Sequence, residues 1–260
     1  MADTNIGFVR SVFSQQVPAT YEMVNHILTL GLDIAWRKQA AKIAAMADGG
    51  QWADLCTGTG ETAVYLSKLA PKDTTVYAID LSVPMLEQAR KKPRARRIRF
   101  VSSDTLVLPF ADESFDLLVM SFATRNINQS KDILVRTFTE YYRVLKPGGR
   151  FVNVETSRPS LWVVRRVRDL YVKLFVKSIG GAISGSSMAY GYLAHTIPRF
   201  YGPQELRDII RLAGFTKVNF QRQVFGLAAI HQGMKGCKSQ PLVNDSHPFL
   251  NKGGGLSYRD

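Results

Sequence analysis

A glycine-containing turn between two apolar runs constrains this chain more than any other feature. The apolar residues 52–55 lead into the turn 56–60, which reads C-T-G-T-G, and a helical pattern follows. The next apolar run, residues 75–80, ends at Asp80. This order predicts a strand, a tight turn, a helix and a second strand with a carboxylate at its tip. Such a layout holds an adenosine-containing ligand at the carboxyl edge of a parallel sheet.

Two kinds of adenosine-containing ligand compete for this turn. A dinucleotide needs the pattern G-x-G-x-x-G with a pyrophosphate on the helix N-terminus, and the third glycine is missing from its usual place. Glu61 puts negative charge where the pyrophosphate would lie, whereas S-adenosylmethionine has no phosphate and carries a cationic sulfonium. Gly58 and Gly60 lack side chains, so a ligand can approach the backbone. The turn therefore favours a methyltransferase over a dehydrogenase, and a ligand-free strand, turn and helix is the structural alternative.

Short β-branched or apolar runs alternate with helical patterns or turns along the chain. They are residues 51–57, 75–81, 98–104, 115–121 and 150–156. Strands that alternate with helices predict an α/β fold with a doubly wound, mostly parallel, Rossmann-like sheet. Two later runs, 216–224 and 226–231, predict a closing antiparallel pair that completes a seven-stranded sheet. Asp104, which ends the third run, is the second acidic residue at a strand tip.

The remaining segments predict the helices and the ends of a single domain over residues 1–232. The predicted helical segments are 1–50 at the N-terminus, 131–145 before the breaker K-P-G-G at 146–149, an insertion at 158–200, and 203–213. The insertion is rich in aromatic residues, arginine and glycine, and we expect it to cover the sheet edge. Residues 233–260 are rich in Gly, Ser, Lys and Asn, which predicts a disordered tail.

The charge balance predicts an anionic partner. The net charge is +13 and the pI about 9.9, which suits a lipid surface, a nucleic acid or an acidic substrate, with general solubility as the plain alternative. The two cysteines, Cys56 and Cys237, fit no metal spacing and no disulfide framework, which indicates a reducing cytoplasm. We expect neither a signal peptide nor a membrane span, because no uncharged apolar run approaches about 18 residues.

Four segments carry a resemblance to a known family. The first segment, at 21–36, starts with Y-E-M-V-N-H-I-L-T and ends at Trp36. The other three are S-F-A-T-R-N-I at 121–127, R-V-L-K-P-G-G-R-F-V-N-V-E-T-S at 143–157, and Y-G-Y-L-A-H-T-I at 190–197. Over about residues 8–233 the chain resembles the quinone C-methyltransferases that make menaquinone and ubiquinone, which are class I methyltransferases. The K-P-G-G block is widespread among methyltransferases, and the R-N and Y-x-Y-L segments are more specific. The chain departs from the family pattern at Glu22, Thr29, Asp33, Ala123 and Thr124.

The resemblance implies S-adenosylmethionine as cofactor and assigns contacts to it. The assigned residues are Thr59, Asp80, Asp104, Thr105 and Ser121. The Thr59 hydroxyl suits the amino-acid end of the cofactor, Asp80 suits the ribose diol, and Asp104 suits the exocyclic amine of adenine. Ser121 ends the fourth predicted strand and faces the cleft. Solvated loop carboxylates are the structural alternative for Asp80 and Asp104.

The resemblance also implies methyl transfer to the ring carbon of a demethylated prenyl quinol. A hydroquinone that loses a hydroxyl proton delocalises charge onto that carbon, which attacks the sulfonium methyl. Catalysis is assigned to Arg125 and Asn126. Arginine stays protonated, so we expect an electrostatic or water-mediated role for Arg125, with a surface salt bridge as the structural alternative. The implied substrate-binding residues are Tyr21, Tyr190, Tyr192 and His195, and His195 is the alternative base. No metal is required.

A prenyl quinol is dissolved in the bilayer, so we expect peripheral contact with an anionic membrane at its cytoplasmic face. The insertion at 161–200 mixes apolar and aromatic residues with arginine and lysine, which suits such contact. The run at 90–99 is the densest in positive charge and is either a solvated loop or a lipid- or nucleic-acid-binding segment. We expect no nucleic-acid partner, although RNA or another lipophilic molecule is the alternative acceptor, and a partner-binding protein without activity is a third reading. The sequence leaves a homodimer open.

Overall fold

The chain folds around one seven-stranded sheet in a computed structural model that describes residues 20–184 and 187–237, except for the side chains of Tyr21 and Ser187. The strands are β1 Gln51–Leu55, β2 Thr75–Asp80, β3 Ile98–Ser102, β4 Phe115–Ser121, β5 Leu145–Thr156, β6 Thr216–Gln223 and β7 Ala228–Met234. Their order in the sheet is β3-β2-β1-β4-β5-β7-β6. Strands β1 to β5 are parallel, and β7 pairs antiparallel with β5 and β6. The predicted fold class is confirmed.

Helices cover both faces of the sheet and its carboxyl edge. They are α1 Tyr21–Leu28, α2 Leu32–Ala44, α3 Glu61–Leu69, α4 Val83–Arg90, α5 Thr124–Ile127, α6 Lys131–Val144, α7 Trp162–Tyr171, α8 Lys177–Ser184, α9 Ser187–Thr196 and α10 Pro203–Leu212. Side-chain caps begin two of them: the Ser82 hydroxyl accepts from the Met85 amide before α4, and the Ser130 hydroxyl accepts from the Ile133 amide before α6. The π-helical turn Val172–Val176 joins α7 to α8.

The start of β5 differs from the prediction that the K-P-G-G segment separates a helix from a strand. Strand β5 begins at Leu145, directly after α6, and the segment lies inside the strand. Leu145 pairs with Phe115, and a register shift follows before Arg150 pairs with Leu117. The Lys146 ammonium donates to both oxygens of the Asp116 carboxylate at 2.9 Å. The extra residues therefore form an irregular, anchored strand start instead of a free turn.

The central strands are buried on both faces, as a parallel sheet between helical layers requires. In β4, Leu118 and Met120 pack into a core with Phe138, Tyr141 and Phe151. Alternate residues of the same strand, Leu117 and Val119, pack into a second core with Trp36 and Trp52. The alternation follows from the two-residue period of a strand. Helix α2 thereby becomes part of the domain core and can present side chains to the carboxyl edge.

The residues of the predicted insertion form α7, α8 and α9. Val172, Val176, Tyr190 and Leu193 pack against Val24 of α1, so the insertion and the N-terminal helix share an apolar cluster. A Cβ on Gly180 would lie 2.2 Å from the Tyr190 ring, so only glycine allows this approach. The basic run at 90–99 joins α4 to β3, and most of its cationic side chains are exposed.

The C-terminal end of the sheet extends further than predicted. Strand β7 continues to Met234, past the predicted strand end at residue 231 and into the start of the predicted tail. The Lys235 amide then donates to the Gly149 carbonyl at 2.9 Å, and the Gly148 amide donates to the Lys235 carbonyl at 2.9 Å. The rest of the predicted tail, 238–260, and the predicted N-terminal helical residues 1–19 lie outside the described residues.

Candidate functional site

An open cleft lies at the carboxyl ends of β1 to β4, and its empty volume including the mouth is about 1170 Å³. Predicted site residues that line it are Thr59, Asp80, Asp104, Thr105, Ser121 and Asn126. The strand order places these groups in a row along the sheet edge. The row begins at Asp104 beyond β3, passes Asp80 and the glycine turn, and ends at Ser121 of β4.

The two glycines of the turn have different roles. Gly58 has φ +56°, and a Cβ there would meet no protein atom within 4 Å, so its open side faces the cleft that it lines. Gly60 has φ +82°, and a Cβ there would lie 2.8 Å from the Ala89 Cβ. Both need the left-handed backbone that favours glycine. Close ligand approach explains Gly58, whereas the close approach of the turn to Ala89 of α4 explains Gly60.

Asp80 is fixed by the backbone on both sides of its strand tip. One carboxylate oxygen accepts from the Gly58 amide at 2.8 Å, and the other accepts from the Ser82 amide at 2.8 Å. Burial raises the pKa of Asp80, and these amide hydrogen bonds oppose that rise. The carboxylate keeps further lone pairs for a diol in the cleft. Its placement between Asp104 beyond β3 and the glycine turn after β1 suits a ribose in the middle of the row.

The end of the row near β3 combines a carboxylate with a hydroxyl and a thiol. Asp104 accepts from the Leu106 amide at 2.9 Å, and the Thr105 hydroxyl lies 3.5 Å from the Cys56 sulfur. Burial raises the pKa of the Cys56 thiol well above its usual range, and the nearby Asp80 carboxylate adds to the rise. This raised pKa favours the protonated form of the Cys56 thiol, which lines the cleft.

Asp54 supports the glycine turn from below, and the sequence reasoning missed it. Its carboxyl group accepts from the Thr57 hydroxyl and from the Ala63 amide, the latter at 3.0 Å. Burial raises the pKa of Asp54 to about 7. A polar residue inside the apolar strand that precedes a glycine turn is the signal that would have found it. Asp54 ties the turn to α3 without lining the cleft itself.

The end of the row near β4 contains an arginine that the sequence reasoning also missed. Arg37 of α2 lines the cleft and lies over the Phe122 ring, with 4.8 Å between its guanidinium carbon and the ring centre. Phe122 follows β4 with φ +58°, a strained conformation for a residue that is not glycine. The Thr62 hydroxyl, which accepts from Arg37 at 3.4 Å, donates to the Ser121 hydroxyl at 3.0 Å. The strained backbone holds the Phe122 ring beneath the guanidinium.

The two predicted catalytic residues are placed differently. The Arg125 guanidinium is buried and does not line the cleft: it donates to the Thr156 hydroxyl at 3.0 Å and lies 3.6 Å from the Glu155 carboxylate. Glu155 also accepts from the Arg125 amide at 3.1 Å. Asn126 lines the cleft, and its side-chain oxygen is buried without a hydrogen-bond partner among the described residues. A ligand hydroxyl or a water in the cleft would satisfy that oxygen.

The predicted substrate-binding residues of the insertion do not line this cleft. Tyr190 is buried in the apolar cluster against Gly180, and His195 is exposed and accepts a contact from Arg199 at 3.2 Å. Tyr192 is partly buried, which raises its pKa, and the Arg125 charge opposes that rise. Tyr192 is therefore the insertion tyrosine that the structure brings towards Arg125. The Tyr21 side chain lies outside the described part of the chain.

Comparisons with known proteins agree with this geometry. The model of the ubiE/COQ5 methyltransferase family matches residues 1–235. A demethylmenaquinone methyltransferase of Thermus thermophilus is 38% identical over 224 residues, which are 85% of this chain and 99% of that protein. A ubiquinone/menaquinone biosynthesis C-methyltransferase UbiE of Geobacter sulfurreducens is 32% identical over 234 residues, covering 88% and 89%. The fold matches a SAM-dependent methyltransferase of Thermotoga maritima with a TM-score of 0.59 at 21% identity, over 87% of this chain and 99% of that one.

Proposed function

Because the chain belongs to the ubiE/COQ5 methyltransferase family, we propose that it methylates a ring carbon of a demethylated prenyl quinol in respiratory quinone biosynthesis. It is an S-adenosylmethionine-dependent methyltransferase. The observation that carries the substrate assignment is the near full-length similarity to relatives named for demethylmenaquinone and for ubiquinone/menaquinone biosynthesis. The cleft supports it, because the row of polar groups fits a cofactor with adenine, ribose and an amino-acid end.

The cofactor site that we propose uses the row of strand tips. Asp104 accepts from the adenine amine. The Asp80 carboxylate, which the Gly58 and Ser82 amides hold in place, accepts from the ribose hydroxyls. Gly58 leaves open space on the cleft side, so the cofactor lies against the backbone there. Ser121, Thr59 and Thr105 line the same cleft and complete the contacts.

The chain contributes orientation and electrostatic stabilisation to the transfer. The cofactor supplies an electrophilic methyl group on a sulfonium. Asn126 accepts from the quinol hydroxyl through its unpartnered buried oxygen, and so fixes the neighbouring ring carbon in the cleft. Arg125 acts through its charge from behind the cleft wall, where it favours a phenolate over a phenol. This is a positioning and electrostatic role, since Glu155 and Thr156 already hold the guanidinium.

A methyl-transfer assay tests the proposed substrate. Purified protein is incubated with methyl-labelled S-adenosylmethionine and a panel of demethylated naphthoquinols, benzoquinols and unrelated lipophilic phenols, with an RNA pool as the further acceptor. We expect label in a quinol product whose mass rises by one methylene and whose new group is on carbon. Label only on oxygen, only in RNA, or only in an unrelated phenol would contradict the proposal.

We further propose that the helical insertion lies on an anionic membrane. In the described residues, no helix is long and apolar enough to cross a bilayer. Helix α7 instead exposes one apolar stripe, made by Val163, Val167 and Leu170, and Leu174 extends it into the π-helical turn. Arg165 and Arg166 lie on the same helix and suit anionic headgroups. Flotation with anionic liposomes tests this, and we expect it to fall steeply between low and high salt. Flotation that is absent or unaffected by salt would refute the proposal.

A further inference from the structure

A charged pair borders the cleft between α2 and the start of α3. The Arg37 Nε and the Glu61 Oε2 lie 3.5 Å apart, and their side chains are 8% and 11% exposed. Both residues line the cleft. They lie at the β1–β4 end of the row, beyond the glycine turn, on the opposite side from Asp104.

Arg37 is held rigidly but keeps a donor unused. Its guanidinium lies on the Phe122 ring and donates to the Thr62 hydroxyl at 3.4 Å. Its Nε is buried and has no hydrogen-bond acceptor in the part of the chain that the structure describes, although Glu61 is near. A buried guanidinium donor without an acceptor is costly, so this position suits an anionic ligand group in the cleft.

Glu61 is held by a histidine that is itself held by a carboxylate. The Glu61 Oε1 lies 3.4 Å from His26 Nε2, and His26 Nδ1 lies 2.9 Å from the Asp33 carboxylate. Burial raises the pKa of Glu61, and the Arg37 charge opposes the rise. A second cation next to Glu61 would favour its ionised form.

The cluster of charged side chains around Arg37 and Glu61 has a net negative charge. Its carboxylates are Glu22, Asp33 and Glu61, and its permanent cations are Arg37 and Lys92, which pairs with Glu22 at 2.8 Å. Leaving His26 aside, three negative and two positive charges sum to −1. The cluster therefore favours a ligand whose cationic group lies at Glu61 while its anionic group pairs with Arg37.

We propose that Arg37 and Glu61 form a clamp for the amino-acid end of the methyl donor. The inference rests on the proposed use of the cleft for this cofactor. With adenine on Asp104 and ribose on Asp80, the rest of the molecule extends past the glycine turn to the β4 end, where the pair lies. The α-carboxylate pairs with the Arg37 guanidinium, and the neighbouring α-ammonium pairs with the Glu61 carboxylate. His26 and Asp33 are positioning residues that fix the Glu61 carboxylate.

A divalent cation is the competing occupant of this cluster. Ligand atoms of Glu22, His26 and Glu61 lie within 4.8 Å of one another. Two features favour the ammonium: Lys92 already pairs with Glu22, and Arg37 already lies beside Glu61. Both cations would repel a doubly charged metal ion more strongly than a singly charged ammonium, and an amino acid also brings a carboxylate for the arginine.

Calorimetric binding of three adenosine thioethers tests the clamp. S-adenosylhomocysteine has the carboxylate and the ammonium, 5′-deoxy-5′-(3-aminopropylthio)adenosine has only the ammonium, and 5′-methylthioadenosine has neither. We expect wild-type protein to bind the first at least ~100-fold more tightly than the third. Arg37→Met should weaken S-adenosylhomocysteine by about 30-fold, and Glu61→Gln should weaken both ammonium-bearing ligands by about 10-fold. Binding of methylthioadenosine should stay within about twofold in both variants, and it also reports intact folding.

Several outcomes would overturn the clamp. Equal losses of affinity for all three ligands in the variants would show that Arg37 and Glu61 have only a structural role. Equal affinity of wild-type protein for the three ligands would show that the amino-acid end makes no contact that contributes to binding. Zinc or manganese binding that competes with S-adenosylhomocysteine and is lost in Glu61→Gln would show that the cluster is a metal site and not a clamp for the amino-acid end. The exposed neighbours Lys38 and Glu87 supply the matched controls Lys38→Met and Glu87→Gln. If the protein passes these binding tests but methylates no quinol, the proposed substrate is wrong and the clamp still stands.

Discussion

The carboxyl edge of the sheet and the helical layer over it hold their side chains by different means. At the edge, backbone amides fix the polar groups: Asp80 accepts from Gly58 and Ser82, and Asp104 accepts from Leu106. In the helical layer, the insertion is held to α1 by an apolar cluster, and α7 exposes an apolar stripe.

The ligands proposed for the two regions explain the difference. A polar cofactor is selected by hydrogen bonds whose geometry is fixed before binding, so its site belongs on rigid strand ends. A prenyl chain and a lipid surface need apolar area rather than directed bonds, so adaptable helices suffice. We therefore expect substitutions at the edge to change stability and cofactor affinity strongly, and substitutions in the helical layer to change surface binding with little effect on folding.

The largest effect that we expect at the edge is a dependence of stability on pH through Asp54. Burial raises its pKa from 3.8 to about 7, so the folded state binds a proton that the unfolded state releases between these values. Asp54 therefore stabilises the fold fully below about pH 4, and this contribution falls by about 1.4 kcal/mol per pH unit until about pH 7. Asp54→Asn removes this dependence, so its stability relative to wild type should rise with pH across that window in urea unfolding.

His231 also affects how stability depends on pH. The informative quantity is therefore the difference in unfolding free energy between Asp54→Asn and wild type at each pH, rather than the wild-type profile alone. Burial lowers its pKa from 6.5 to about 4, so its contribution is lost as the pH falls through that interval, opposite in sign to Asp54. The two contributions partly cancel in wild type. The exposed carboxylate Asp73 provides the control Asp73→Asn. Parallel pH profiles for Asp54→Asn and wild type would show that Asp54 does not titrate in this range.

Asp80→Ala should cause the next largest effect, a loss of cofactor affinity. The variant removes the acceptor for the ribose and leaves the Gly58 and Ser82 amides without their partner. We expect S-adenosylhomocysteine to bind at least ~100-fold more weakly by calorimetry, because charge-assisted hydrogen bonds are lost. Asp73→Ala should bind as wild type does. Unchanged affinity in Asp80→Ala would remove Asp80 from the cofactor site.

The two glycines of the turn sharpen the comparison within the edge itself. Gly60→Ala should destabilise the fold by about 2 kcal/mol in chemical unfolding, because its Cβ would meet Ala89 and its backbone is left-handed. Gly58→Ala has only the backbone penalty of about 1 kcal/mol, but its methyl group would project into the cleft. It should therefore weaken S-adenosylhomocysteine more than Gly60→Ala does. The opposite ranking for stability would contradict the assigned roles.

The smallest effect on stability should come from the exposed stripe of α7. Val167 and Leu170 are 65% and 57% exposed, so the double variant Val167→Glu, Leu170→Glu should change the free energy of unfolding by less than about 0.5 kcal/mol. Its flotation with anionic liposomes should nevertheless fall, since two charges replace apolar area. Leu212→Glu on α10, where Leu212 is 61% exposed, is the control. Equal flotation of wild type, the double variant and Leu212→Glu would show that α7 does not contact the membrane.

The sequence predicts the edge well because its signals are local. Apolar runs that end in Asp80, Asp104 and Ser121 mark strand ends, and parallel strands bring their carboxyl ends to one edge. The glycine pattern likewise predicts the turn. Family similarity then supplies the chemistry, and the cleft contains most of the residues that it assigns.

What the sequence misses depends on long-range placement. Arg37 is 25 positions before Thr62, its hydrogen-bond partner, and its helix reads as an ordinary amphipathic segment. The left-handed backbone of Phe122 has no residue signature, because a glycine would be the usual choice there. Arg125 follows β4 as predicted, but the short helix α5 directs its side chain to Glu155 rather than into the cleft.

The state of the two thiols makes the protein easy to label at one place. Cys56 is a half-buried thiol whose pKa is raised, while Cys237 is exposed just after the last strand, and the chain has no other cysteine. A maleimide dye at neutral pH should therefore react preferentially with Cys237. The dye then sits at the far end of the sheet from the cleft's floor thiol, so single-molecule fluorescence can follow the enzyme on vesicles without altering the site where methyl transfer occurs.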